Sequence, residues 1–219
     1  MFLRFSGLLV AAFLFNGPVM AHPVPFDATW REQGFLRLWS NDYVLAGERL
    51  GVVSDGTVSL LYRGVGREMW EARSASWRWV VREGVGATDL TRKGGDDRNL
   101  ALYFVFVDRD SAEKLLRRSQ RRLLRNKNTR ALVYVWGGDY PRGLVLDSPY
   151  GNGLLKTVIA RGAGPGDFSE SVDLAADYAR AFGTARGVLV GIGITADSDD
   201  TDGRIIAEIN DLSVEVAGE

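Results

Sequence analysis

Apolar and polar positions alternate along much of the chain with a period of two, the spacing a half-buried strand requires, because successive side chains on a pleated strand point to opposite faces. Ser76-Trp77-Arg78-Trp79-Val80-Val81 is the clearest instance: Trp77, Trp79 and Val81 share one face, and Ser76, Arg78 and Val80 the other. Residues 35–39 alternate in the same way. Residues 50–53 and 57–62 flank Asp55-Gly56, a pair suited to the positive φ of a tight turn, so they predict a hairpin. Residues 100–107 are apolar on both faces and predict a central strand. Residues 131–136, 153–160 and 188–196 predict three more, and 204–216 two short strands broken near Asn210-Asp211. Residues 23–33, 84–98 and 137–152 read as irregular connections, and 68–75 fits neither period.

Two stretches switch to a helical period. Residues 173–182 place Leu174, Tyr178, Ala181 and Phe182 on one stripe, with Gly183 suited to the left-handed cap. Residues 111–126 place Ala112, Leu115, Leu116, Leu123 and Leu124 on one side and Arg117, Arg118, Arg121, Arg122 and Arg125 over the rest. No long repeat recurs. Many short strands, turn signals and two helical insertions predict an all-β fold, a jelly-roll-like β-sandwich.

Composition then narrows the setting. Residues 1–21 carry a secretory signal pattern: Arg4, an apolar run of 11 residues at 5–15, and Val19-Met20-Ala21 as a small-residue cleavage site. That run is short of the roughly 20 residues a membrane span needs. The expectation is an exported protein, periplasmic or secreted, with 22–219 as one domain and no transmembrane segment after cleavage. The 219 residues carry a formal net charge of -1, which offers nothing to a nucleic acid. The sequence has no cysteine, so the core must hold the fold without disulfides. His22 is the only histidine. Ser-His-Asp, Cys-His and multi-histidine zinc chemistry are thereby excluded, as is copper held by an N-terminal histidine with a second one.

Candidate chemistry rests on carboxylates, aromatics and arginines. Asp197-Ser198-Asp199-Asp200-Thr201-Asp202-Gly203 is the densest acidic stretch, and Asp197, Asp199 and Asp202 could serve calcium, the one cofactor the sequence suggests. The spacing departs from the helix-loop-helix calcium loop, and a solvated turn is the competing reading. Asp96-Asp97 precedes the central strand, and Asp97 with Asp199 or Asp200 could form a paired acid if the fold joined them. Trp77, Trp79, Trp136, Tyr140 and Tyr150 offer flat faces for sugar rings, against a competing role as core. The arginine-rich helix could dock on an anionic envelope surface or pack its leucines on the sandwich.

The series Trp77-Arg78-Trp79-Val80-Val81, Asp96-Asp97, Val105-Phe106, Tyr134-Val135-Trp136, Ser148-Pro149-Tyr150, Asp177-Tyr178 through Phe182-Gly183, and Asp197 to Thr201 resembles, in order and spacing, a bacterial exported family known as domain of unknown function 3047. The resemblance covers roughly residues 35–216 and implies location and fold without an activity; the arginine-rich stretch departs from it. Residues 207–212 also resemble the closing strands of galactose-binding-like sandwiches, as carbohydrate-binding modules have. The sequence leads to an exported, non-catalytic module for a glycan or similar polar ligand, with Trp136 and Tyr150 stacking, Arg78 hydrogen-bonding and Asp97 orienting, and with Arg78 and Asp97 paired in a pocket. The alternatives are a carbohydrate-active hydrolase or lyase using paired Asp residues, and an envelope protein docking anionic lipid through Arg117, Arg118, Arg121, Arg122 and Arg125.

Overall fold

The computed structural model describes residues 19–35, 39–116 and 129–217. These residues form a jelly-roll-like β-sandwich of two sheets. The strands are β1 (Val19–Pro23), β2 (Arg31–Gly34), β3 (Asp42–Ala46), β4 (Arg49–Asp55), β5 (Val58–Gly64), β6 (Ala72–Glu83), β7 (Arg98–Val107), β8 (Arg130–Trp136), β9 (Val145–Asp147), β10 (Leu155–Arg161), β11 (Gly166–Asp173), β12 (Val188–Asp197) and β13 (Arg204–Ala217). One sheet runs β11-β6-β13-β4-β3, with β1 on the other half of β13; the second runs β2-β5-β12-β7-β8-β10-β9. β8 and β10 pair in parallel, whereas their outer neighbours pair antiparallel.

The two sheets meet on an aromatic spine. Trp77 and Trp79 of β6 face the partner sheet, with ring centroids 5.6 Å from Tyr134 and 5.5 Å from Trp136 of β8 respectively. Trp77 also approaches Phe104 of β7 at 6.1 Å. All five rings are buried, and burying one such side chain contributes roughly 1.5–3 kcal/mol. The alternation at residues 76–81 therefore has its cause: one face of β6 is the core, and the other carries the exposed Arg78.

β7 lies between β12 and β8, as its two-sided apolarity predicts. Leu100, Leu102, Phe104 and Phe106 point into the core, while Ala101 joins a smaller apolar cluster with Val133, Val135 and Ile159 on the outer face of the seven-stranded sheet. Leu90 and Tyr140, from the connections before β7 and after β8, cover that cluster.

The expected hairpin at Asp55-Gly56 is instead a crossing between sheets: β4 belongs to the six-stranded sheet and β5 to the seven-stranded one. A tight hairpin turn of the predicted type needs positive φ at both central residues, and only Gly56, at +60°, has it. Ser54 and Thr57 fasten the crossing, the former through Ser198 Oγ at 2.7 Å and the latter by donating to Asn41 Oδ1 at 2.6 Å. Of the strand foreseen at 35–39, residues 36–38 lie outside the described residues, and β2 (Arg31–Gly34) precedes them.

α2 (Leu174–Phe182) matches its pattern, with Asp173 accepting from the Ala176 amide at 2.9 Å and Gly183 at φ 70°. α1 (Arg109–Leu116) is the described part of the second predicted helix. Arg117, Arg118, Arg121, Arg122 and Arg125 lie outside the described residues. The two short strands foreseen at 204–216 form one strand, β13, with a register shift between Asn210 and Ser213 where Asp211 takes φ 53°.

Candidate functional site at the Asp197 end of the seven-stranded sheet

β12 ends at Asp197, which pairs in register with Arg98 at the start of β7 and with Val58 at the start of β5. The connections 84–97 and 198–203 leave from this end, so the charges that the chain excludes from its strands collect here. Arg98 Nη1 donates to Asp96 Oδ2 at 3.1 Å and approaches Asp197 Oδ2 at 3.0 Å, and its Nη2 donates to the Tyr103 hydroxyl at 3.2 Å. The Tyr150 hydroxyl donates to Asp96 Oδ1 at 3.0 Å, and Lys93 Nζ stands 5.4 Å from the Tyr150 ring. Tyr103, Tyr150, Ser148 and Thr157 line a cavity of about 40 Å³ here, room for a single water.

Electrostatics follow from burial. Burial works against the Arg98 cation, but the Tyr103, Asp197 and Asp96 groups outweigh it and hold the guanidinium charged. Burial raises the Asp197 carboxyl to about 8, against the pull of Arg98 and with the support of the nearby Asp199 and Asp97 carboxylates. Asp200 is raised as well, by burial and then by Asp199, Asp97 and Asp96. Burial first, then the Asp96 charge, also raises the Tyr150 hydroxyl.

The outer face beside this network carries a row of residues across adjacent strands. Tyr62, Gly193 and Tyr103 are register neighbours on β5, β12 and β7, and Arg31 of β2 continues the row. Gly193 stands between two half-buried tyrosines whose strands lie two spacings apart, about 9.6 Å. A Cβ on Gly193 would lie 3.0 Å from Leu60 Cδ1, so the Leu60 side chain covers the glycine between them. Trp39, 79% exposed, sits at the same end, where its carbonyl accepts the Val58 amide at 3.2 Å.

The sequence-predicted residues divide. Tyr150 is here and 44% exposed. Asp97 is here too, but fully buried, accepting from the Asp200 amide at 3.2 Å, the Thr201 amide at 2.8 Å and the Thr201 hydroxyl at 2.5 Å. Carboxylate oxygens of Asp97, Asp199 and Asp200 do lie within 4.8 Å of one another, close enough for a paired acid, yet an inaccessible Asp97 serves as a loop anchor. Trp136, expected to stack, is inside the sandwich with its indole N–H donating to the Gly164 carbonyl at 3.0 Å; its faces meet Trp79 and Phe168. Arg78 lies on the outer face of the opposite sheet and pairs with Asp167, its Nε 2.8 Å from Oδ1, instead of with Asp97. Of the suggested calcium ligands, Asp197 is held by Arg98, and Asp202 turns to Gly56, where a Cβ would meet its Oδ1 at 2.8 Å.

Sequence reasoning passed over Arg98, Tyr62, Tyr103 and Trp39, and named Asp96 only as a member of the Asp96-Asp97 pair. The signal for Arg98 was its charge at the mouth of an apolar strand; Tyr62 and Trp39 carry no local mark that separates an exposed aromatic from a buried one. A larger cavity, of about 660 Å³, lies at the other end of the sheet among Glu71, Arg109, Tyr178 and Arg186. Arg186 there spends its nitrogens on the carbonyls of Trp70, Glu71 and Gly187.

Among solved structures, the chain is similar to the xyloglucanase domain of NopAA, a type three effector from Sinorhizobium fredii, in complex with cellobiose, at 10% identity over 89% of this chain and 97% of that one, TM-score 0.44. It is also similar to the xylan-binding module CBM15, at 11% identity over 93% and 99%, TM-score 0.38. A loop swap mutant of Necallimastix patriciarum Xyn11A matches at 10% identity over 89% and 99%, TM-score 0.41. No curated protein matches the sequence. A family described as "Protein of unknown function (DUF3047)" matches residues 28–213.

Proposed function

The chain belongs to the DUF3047 family, whose description states no activity, and from its site we propose that it is a non-catalytic module binding a glycan along the tyrosine row on the outer face of the seven-stranded sheet. The observation that carries this reading is the row Tyr62, Gly193 and Tyr103 running beside the Arg98, Asp96 and Tyr150 network. Tyrosine walls supply apolar faces with hydroxyl edges. Charged groups locked by their own partners supply directional donors and acceptors without an ordering cost at binding. Polyhydroxylated rings need both. The signal pattern at 1–21 supports a site of action in the periplasm or outside the cell.

Calorimetric titration of the exported protein with cell-envelope polysaccharides and their oligosaccharides tests this. Tyr62→Ala and Tyr150→Ala each weaken binding by about tenfold or more, a loss of about 1.4 kcal/mol, with unchanged circular dichroism. Arg78→Ala, on the opposite sheet, leaves affinity as it was. Absence of saturable binding to every envelope glycan tried would overturn the reading.

A further inference from the structure

We propose that β3, an edge of the six-stranded sheet, pairs antiparallel with β3 of a second copy of this chain, Val44 opposite Val44, and so joins two six-stranded sheets into one. The proposal stands apart from glycan recognition, which uses the other sheet. An edge strand presents unpaired amides and carbonyls to any other chain, and folds blunt such edges with charge, proline or brevity. The other described edges are blunted in this way. β11 carries Asp167, Glu170 and Asp173; β9 has three residues; β2 has four, with Arg31 and Glu32 among them; β1 ends in Pro23. β3 reads Asp-Tyr-Val-Leu-Ala, with its one charge at its start. Val44 and Leu45 are 60% and 40% exposed. The register neighbour of Val44 on β4 is Gly51, which has no side chain to cover it.

The sequence of β3 suits a copy of itself. Antiparallel pairing about Val44 sets Asp42 opposite Ala46 and Tyr43 opposite Leu45, so no like charges meet across the two-fold axis. Arg49 is the register partner of Ala46 on β4, and therefore lies on the same face one strand further in. Across the seam it stands two strand spacings, about 9.6 Å, from Asp42 of the second copy, with only the small Ala46 side chain between them. Among the described residues neither Asp42 nor Arg49 has an ion-pair partner in its own chain. The dimer supplies that partner, twice by symmetry. On the opposite face Tyr43 turns toward the seven-stranded sheet, donating its hydroxyl to the Ser59 carbonyl at 2.9 Å, and Leu45 shares that side, where Tyr43 of the second copy stands opposite it. The register is bounded as well. Phe26 exchanges both main-chain hydrogen bonds with Gly47, at 2.7 and 3.1 Å, so pairing runs no further than Ala46. Centring on Val44 is the one register that pairs every residue of β3 with β3.

A seam of five residues a side is small beside the roughly 20–30 of a standard interface, so the dimer is weak, half-formed at about 100 μM. Sedimentation equilibrium of the exported protein across that concentration reads it. Val44→Lys, which sets two ammonium groups opposite each other, weakens self-association at least tenfold with unchanged circular dichroism. Arg49→Glu weakens it less, and Asp42→Lys in the Arg49→Glu chain recovers it. Val44→Cys reads the register directly: the chain has no cysteine of its own, and opposed Cα atoms about 4.5–5.5 Å apart lie within the disulfide range. Oxidised with diamide, the Val44→Cys protein runs as a covalent dimer, whereas Ser169→Cys, on the exposed face of β11, stays monomeric. Asp42→Cys cross-links to Ala46→Cys in a mixture and not to itself. A monomer at every concentration overturns the proposal, and so does a dimer that Val44→Lys leaves intact or that Val44→Cys does not cross-link.

Discussion

At the scale of single residues, the connection 84–97 shows how a loop is held over a sheet by one carboxylate. Asp89 accepts from the Thr91 amide at 3.0 Å, the Thr91 hydroxyl at 2.6 Å and the Tyr140 hydroxyl at 2.5 Å, which ties the connection before β7 to the one after β8. The Thr91 side chain, then Tyr140, then the Thr91 amide hold the Asp89 carboxyl down at about 2. A carboxyl lowered in the folded state contributes stability that is complete above its unfolded value near 3.9 and is lost as pH falls through the folded value. The tie therefore loosens between about pH 4 and pH 2. Carboxyl NMR should find Asp89 titrating well below the free aspartate value near 3.9, and Tyr140→Phe should move it upward. An Asp89 titration that Tyr140→Phe leaves unmoved would refute this account of the tie.

At the scale of elements, alternation marked β6, where one face meets the core, and apolarity on both faces marked β7. Alternation failed where the inward residue is charged. β11 reads Gly-Asp-Phe-Ser-Glu-Ser-Val-Asp, and its inward set Phe168, Glu170 and Val172 hides an acid among apolar positions. Turn chemistry identified Gly56 but not the sheet to which each flanking strand belongs, since that depends on partners far along the chain. The site was legible to the same extent: Asp96, Asp97 and Tyr150 stand out as residue types, while the contacts of Asp96 with Tyr150 and Arg98 emerge only when β7 and the 148–150 segment are brought together. β1 carries an untested expectation of its own. Val19, Met20 and Ala21 pair with Ala217, Val216 and Glu215, so cleavage after Ala21 would strip three of the five register pairs and leave His22 and Pro23 on Val214 and Ser213. Mass spectrometry of the exported protein should give His22 as its first residue. In that form Glu215 and Val216 keep only their pairing with β6, so the 215–217 amides that faced β1 should exchange with solvent at least about tenfold faster than those of 206–209, which remain between β4 and β6. Equal protection along β13 would show that the edge is covered in another way.

At the scale of the whole molecule, a sandwich must close the open edges between its sheets, and here one edge is closed by charge instead of apolar contact. Glu170 of β11 is buried; its Oε1 accepts from Trp79 Nε1 at 3.2 Å and Arg161 Nε at 2.6 Å, and its Oε2 from Arg142 Nη2 at 2.9 Å. Trp79 belongs to the six-stranded sheet and Arg161 to the seven-stranded one, so a single carboxylate clamps both, and the Arg161 guanidinium lies 4.1 Å over the Phe168 ring. Breaking one partner of a buried pair costs about 3–5 kcal/mol because the remaining charge is stranded, whereas the mostly exposed Arg142 is screened by solvent and adds little. Against a total stability of about 5–15 kcal/mol, Glu170→Ala should lower the denaturation midpoint severely with an unchanged slope. Glu170→Gln, which retains the shape and part of the hydrogen bonding, should cost less, and Arg161→Met in the Glu170→Ala background should recover part of the loss, since removing both charges leaves neither one buried and unmatched. A Glu170→Ala protein within about 1 kcal/mol of the parent would mean that the aromatic spine alone holds the sheets together, and that the clamp only decorates an edge already closed by Trp136 and Phe168.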